Sequence, residues 1–177
     1  MAIEKNLGNN FVQKGKEMKN KFYIMVGCPG SGKSTYAKKN FPNALYVSRD
    51  EIRFSLVKEN EEYFSKENEV FTDFINTINL GLAAGDDVIA DATHLNSKSR
   101  MKLLGSVDLD KTKTEVIAIV MQTPLELCIK RNELRKGTRS YVPINVIKNM
   151  YKFFKIPTFE ECYGMIDNII LIKPKVY

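Results

Sequence analysis

The apolar positions of the chain fall into short blocks separated by longer amphipathic stretches. Phe22 to Val26 is a continuous apolar run ending in a glycine-rich turn, the pattern of a strand buried on both faces, and Ser34 to Asn40 follows as helix. Leu45 to Val47 predicts a second strand. It runs into Ser48-Arg49-Asp50-Glu51, where a polar cap precedes Ile52, Phe54 and Leu56, so Asp50 lies at a strand-to-helix junction. From Ser65 to Ala84, the spacing of Val70, Phe71, Phe74, Ile75, Ile78 and Leu82 keeps one face of a long helix apolar, and Gly85 is placed to end it. Val88 to Ala90 reads as a third strand. Ala92 to Asn96 then reads as loop, with Ser97 capping a helix through Leu104 and Gly105 stopping it. Val116 to Met121 is a fourth strand. Thr123-Pro124-Leu125-Glu126 combines an N-cap, a first-position proline and a capping-box acid, which predicts a helix from Thr123 toward Arg135. Pro143 opens another helix, whose stripe Ile144, Ile147, Met150 (or Tyr151) and Phe154 lies opposite Lys148, Lys152 and Lys155. Asn168 to Ile172 is a fifth strand.

Strands alternating with helices predict an α/β fold: a five-stranded parallel sheet with helices on both faces, because a parallel pair needs a crossover. At 177 residues the chain has the size of one domain. We place that domain at residues 21–177 and read residues 1–20, rich in Asn, Lys and Gly, as a flexible leader. The apolar runs are too short to span a bilayer and the N-terminus lacks a secretory pattern, so a cytoplasmic protein without membrane contact is expected. Cys28, Cys128 and Cys162 are an odd number, widely spaced, which argues against a disulfide framework or a structural zinc site.

Against this frame, Gly27-Cys28-Pro29-Gly30-Ser31-Gly32-Lys33-Ser34 fits the phosphate-loop pattern G-x-x-x-x-G-K-S in the required setting, after a buried strand and before a helix. The glycines let backbone N–H groups turn toward phosphates at a helix N-terminus. The loop predicts a P-loop NTPase fold, with Gly30, Ser31, Gly32, Lys33, Ser34 and Thr35 holding ATP or another nucleoside triphosphate. Lys33 reaches the terminal phosphates and the Ser34 hydroxyl binds Mg²⁺.

P-loops serve several chemistries, so the acceptor must be sought elsewhere. Asp50, at the tip of a neighbouring strand, is placed to take the proton of an attacking hydroxyl. Arg53, three residues on, is placed to hold an acceptor phosphate; a simple Asp50–Arg53 ion pair is the alternative. Asp91 ends Val88-Ile89-Ala90 and is a candidate to orient substrate or to hold Mg²⁺ through water, with a turn-forming role as the alternative. His94, the single histidine, reads as a hydrogen-bonding surface group. Arg131 and Arg135, spaced i and i+4, share one helix face in this reading, so both guanidinium groups can close on phosphates as a helical lid, with a solvated basic face as the alternative. Gly137 would serve as the hinge. Charge sharpens this picture. The net charge is +6, and between Lys130 and Lys155 eight basic residues face the single acid Glu133, which favours a phosphate-rich partner.

Taken together, the phosphate loop, Arg49-Asp50-x-x-Arg53, Asp91-x-x-x-Leu95-Asn96 and Arg131-Asn132-x-x-Arg135-x-Gly137-Thr138, followed by Val142-Pro143-Ile144, resemble the kinase module of phage-type polynucleotide 5′-hydroxyl kinase. The resemblance covers most of the chain after Lys21 and implies an adenylate-kinase-like fold with a tunnel for a single-stranded 5′-OH end. It implies Asp50 as general base, Arg53 on the terminal nucleotide's phosphate, Arg135 on the transferred phosphoryl group, and an acceptor contact at Thr93. The segment Asp91-Ala92-Thr93-His94-Leu95-Asn96 is one residue longer than the Asp-Thr-Asn-Leu-Asn form of that family, and no Asp-x-Asp-Gly-Thr phosphatase signature occurs, so a kinase alone is expected. Two other classes fit the same donor loop: a kinase for a small-molecule hydroxyl (nucleoside, nucleotide sugar or antibiotic), and a nucleotide-dependent switch without transfer. No residue pattern separates RNA from DNA or specifies an oligomeric state.

Overall fold

The computed structural model describes residues 19–174; the expected leader falls almost wholly outside them. Five strands, β1 (Asn20–Val26), β2 (Leu45–Ser48), β3 (Val88–Asp91), β4 (Thr114–Met121) and β5 (Asn168–Ile172), form one sheet in the order β2-β3-β1-β4-β5. Every pairing is parallel, with Ile24 opposite both Ala90 and Ala118. The α/β reading is thus correct, with helices on both faces.

Alternation along the strands sorts the core into two layers. Phe22, Ile24 and Val26 point toward α3 (Glu67–Ala84) and α4 (Ser97–Leu104), packing with Phe74, Ile78, Leu103 and Leu104. Tyr23, Met25, Ile89 and Ile119 point the other way, against Ala37 of α1 (Lys33–Asn40) and Phe41, whose ring stacks on Tyr23 at 4.2 Å. Gly85 ends α3 in the left-handed conformation, as its position predicts.

Three local expectations are revised. Asn96, not Ser97, caps α4, through a reciprocal pair with Ser99, and Gly105 ends it in a right-handed conformation. The helix after β4, α5 (Leu125–Glu133), starts from Pro124, because the Thr123 hydroxyl is spent on the Ser31 carbonyl at 2.9 Å. It also stops before Arg135, which sits in the following turn, so Arg131 and Arg135 do not share a helix face. A last helix, α6 (Ile144–Lys152), buries Ile147 in a third cluster with Cys28, Leu95 and Cys128. That cluster seats α5 and α6 on the phosphate loop. Among the described residues no helix is long and apolar enough to cross a membrane.

Candidate active site at the carboxyl edge of the sheet

Because all strands run the same way, the segments after β1, β2, β3 and β4 emerge at one edge, the side on which open α/β sheets bind ligands. The phosphate loop follows β1. Ser48 and Asp91 lie opposite each other at the ends of β2 and β3, which brings the start of α2 (Arg49–Leu56) beside Asp91.

The loop's shape is forced by crowding. Gly30 has φ of +78°, and a Cβ there would lie 2.2 Å from the Cys128 carbonyl oxygen, so the loop and α5 meet backbone to backbone. The Gly27 N–H bonds the Thr93 carbonyl at 3.0 Å, fastening the loop to the segment after β3. Lys33 is buried and donates to the Cys28 carbonyl at 3.1 Å. Burial pushes its ammonium below the ordinary lysine range, while the Asp91 and Asp50 carboxylates pull the other way, so both acids lie within electrostatic reach of it. The Ser31 hydroxyl is buried without a hydrogen-bond partner among the described residues. An orphaned hydroxyl in a loop at the head of a helix is what a bound phosphate would satisfy. Thr35 is exposed on the first turn of α1.

Ser34 donates to Asp91 Oδ2 at 2.5 Å, and the Tyr46 hydroxyl donates to the same oxygen. Burial and the Asp91 charge push the Tyr46 phenol up, keeping it protonated as a donor. This set of hydroxyl and carboxylate oxygens suits a hard cation such as Mg²⁺, which takes few protein ligands when phosphates supply the rest.

Asp50 lies in the first turn of α2, whose cap is the Ser48 side chain accepting from the Glu51 N–H. Its side chain is 68% exposed, yet Oδ1 is held twice, by Arg53 Nη1 at 2.8 Å and by the Tyr63 hydroxyl at 3.1 Å. The Asp50–Arg53 ion pair is therefore real. Arg53 itself is 4% exposed and donates to Glu67 at 2.6 Å, while Arg49 donates to the other oxygen of Glu67. Glu67 thus sits between two guanidinium groups, and its carboxyl is held below the ordinary range: burial opposes this, but the bonds and charges of Arg53 and Arg49 prevail. The Nε atoms of both arginines are buried without partners among the described residues. Tyr63 and Glu67 were not singled out in the sequence; nothing in their spacing shows that the turn before α3 folds back onto α2.

The lid elements bracket both groups. Arg131 Nη1 donates to the Ser31 carbonyl at 3.2 Å and would touch a Cβ at Gly32, so it lies against the phosphate loop. The guanidinium of Arg135 makes no hydrogen bond or ion pair among the described residues. Asn132 is buried and pairs with the backbone of Val142 in both directions, closing the turn that contains Arg135 and Gly137. From this turn Arg139 reaches across to the end of α2, donating to the carbonyls of Phe54 and Val57 at 3.1 and 2.6 Å with its guanidinium 4.7 Å from the Phe54 ring. Sequence reasoning missed Arg139.

His94 is not a surface group. It is 5% exposed, has φ of +41°, and its Nδ1 lies 2.9 Å from the Met25 carbonyl. Burial pushes its imidazole down to about 4, so the ring is neutral near pH 7 and pins the loop after Asp91 to β1. Thr93 joins the site through its backbone. Arg100, fully buried, braces the same loop by donating to the His94 and Lys155 carbonyls and pairing with Glu161.

This fold and edge define a P-loop kinase-like protein. A family model described as AAA domain matches residues 22–157, and the chain belongs to that family. Curated relatives include a protein of Acanthamoeba polyphaga mimivirus assigned as a bifunctional polynucleotide phosphatase/kinase, 29% identical over 165 residues, covering 88% of this chain and 34% of the relative. A second, from Autographa californica nuclear polyhedrosis virus and assigned as a bifunctional polynucleotide kinase/RNA ligase, is 26% identical over 77% of this chain and 21% of its own length. The chain thus spans about a third or less of these relatives. Among solved structures, a chain of an RNA repair complex superimposes with a TM-score of 0.67 at 23% identity, covering 79% of this chain and 45% of that one. A fungal RNA kinase gives 0.62 at 17% identity, over 90% and 77% of the two chains. A sugar kinase from Janibacter sp. HTCC2649 gives 0.60 at 15% identity, over 88% and 85%.

Proposed function

We propose that this chain transfers the γ-phosphate of ATP, or of another nucleoside triphosphate, to the 5′-hydroxyl of a single-stranded RNA or DNA end. The observation that carries this reading is Asp50: an exposed carboxylate within electrostatic reach of the P-loop lysine, with Oδ1 held by two donors and Oδ2 left without a partner among the described residues. Transfer to a hydroxyl gains from such a base, whereas transfer to a phosphate does not need one. Both curated relatives named above are assigned as polynucleotide kinases.

In this reading the loop from Gly30 to Thr35 cradles the phosphates, with Lys33 and Arg131 on the donor. Ser34 and Asp91 would hold Mg²⁺ among the phosphates, where the ion neutralises charge when bound. The acceptor oxygen attacks the γ-phosphorus, the bond to the β,γ-bridging oxygen breaks, the nucleoside diphosphate leaves, and the hydroxyl proton passes to Asp50 Oδ2. Arg53 contacts the acceptor's first phosphate, the segment at Thr93 lines the acceptor, and Arg135, whose guanidinium has no partner among the described residues, neutralises the group in flight.

The test is incubation with Mg²⁺, γ-labelled ATP and a 5′-hydroxyl oligonucleotide, repeated with Asp50→Asn. Label on the 5′ end that disappears in the variant is expected; an unlabelled oligonucleotide overturns the activity, and label that survives removes Asp50 as base. A second reading, a kinase for a small-molecule hydroxyl, draws on the sugar-kinase fold, 85% of which this chain covers. A panel of labelled sugars and nucleosides separates the two.

A further inference from the structure

The segment between α2 and α3 carries two aromatic residues that the core does not use. Tyr63 is 38% and Phe64 63% exposed, although each is large and apolar. They form an edge-to-face pair with centroids 4.8 Å apart and planes at 86°, and Phe54 meets Tyr63 in a second edge-to-face contact at 6.4 Å. The pair is not adrift on the surface. The Tyr63 hydroxyl bonds Asp50 Oδ1, and the buried Arg53 guanidinium lies 4.7 Å from the Tyr63 ring and 5.5 Å from the Phe64 ring. Arg139 stacks on Phe54 from the lid side, so two arginines flank a run of rings from the lid to Asp50. Rings beside cations are the pairing that single-stranded nucleic acid uses, bases stacking while phosphates meet the charges. A base covers such a ring with a full π-face, whereas a sugar can offer only its C–H face.

We propose that Tyr63 and Phe64 form a stacking platform for the base of the acceptor's 5′-terminal nucleotide, placed so that this nucleotide's hydroxyl reaches Asp50. This deepens the polynucleotide reading and rests on it. Stacking is indifferent to base identity, because every base has a π-face, so the platform would distinguish nucleic acid ends from base-free acceptors without selecting a sequence.

A binding measurement that needs no turnover tests it. A 5′-hydroxyl oligonucleotide carrying 2-aminopurine at its terminal position is titrated with the protein in the presence of Mg²⁺ and a non-hydrolysable ATP analogue, and fluorescence is read. Quenching of the terminal probe on binding is expected, with Kd rising about tenfold in Phe64→Ala and returning toward the parent value in Phe64→Tyr. An oligonucleotide with an abasic 5′ end should bind the parent and Phe64→Ala proteins equally. Phe64 is exposed, so the variant should fold, which its melting temperature checks. Binding without terminal quenching, or an equal loss of affinity for base-bearing and abasic ends in Phe64→Ala, overturns the platform. The labelling assay reports separately on the reaction: phosphate transfer without quenching sinks the platform and spares the activity, and quenching without transfer does the reverse.

Discussion

The phosphate loop and the mouth around Asp50 share one edge of one sheet but are made of different material. The loop is backbone: glycines in conformations that other residues resist, a turn pressed against the Cys128 carbonyl, N–H groups at the head of a helix. The Asp50 mouth is side chains gathered from several elements, with Arg53 on α2, Tyr63 on the following turn, Glu67 on α3 and Arg139 from the lid turn. A backbone cradle is fixed when the chain folds and suits a ligand part common to every turnover. A side-chain mouth is adjustable by substitution, which is where members of a fold that phosphorylate different acceptors can diverge.

That division is open to direct attack. The largest effect should come from Asp50→Asn, which removes the proposed proton acceptor and should lower kcat by about 10²- to 10⁴-fold; calorimetric titration should give unchanged ATP affinity, and a parallel loss of ATP binding would erase the boundary between the two regions. Gly30→Ala strikes the other side. Strain at a left-handed φ and overlap with the Cys128 carbonyl should lower Tm by roughly 5 °C and abolish ATP binding in the same titration. Arg139→Ala removes two donors from the end of α2 and should raise the acceptor KM about tenfold while the KM for ATP moves less than about twofold, which steady-state kinetics can resolve.

The smallest effect concerns the loop after Asp91 and shows in its pH dependence. The folded-state pKa of His94, at about 4, lies below its ordinary 6.5, so the unfolded chain takes up the proton first. The stabilisation from the neutral ring is complete above 6.5 and is lost as pH falls from there toward 4. Tm should therefore drop between pH 7 and pH 5. His94→Asn, which tolerates the left-handed conformation, should flatten that slope in scanning calorimetry.

Legibility followed the same boundary between backbone and side chains. The loop could be read because its geometry depends on consecutive residues, and the five strands because each is a run of apolar positions. The strand order and the partners of Asp50 are non-local. Glu67 joins Arg53 only because α3 packs back on α2, and Arg139 meets Phe54 across 85 residues of chain. Two misreadings have local causes that composition hides. His94 turned inward because a left-handed residue redirects the loop toward the Met25 carbonyl, and Arg135 left its helix because Asn132 closes the turn onto Val142. Arg100, buried at the centre of a bracing network, is indistinguishable in sequence from a surface arginine.

The strand order also bears on how the molecule comes into being during synthesis. Among the described strands β1 leaves the ribosome before the other four, yet it does not pair with β2, the strand that follows it in the chain. It joins β3 over three residues and β4 over seven, from Asn20 opposite Thr114 to Val26 opposite Val120. The segment that ends in the phosphate loop therefore waits, unpaired on one side, until residues 114–121 have emerged, and α5, which backs Gly30, follows later still. A nascent chain cut short before β4 should not hold the phosphate loop in its folded shape, so the proposed nucleotide site would be complete only after residues 114–133 have been made.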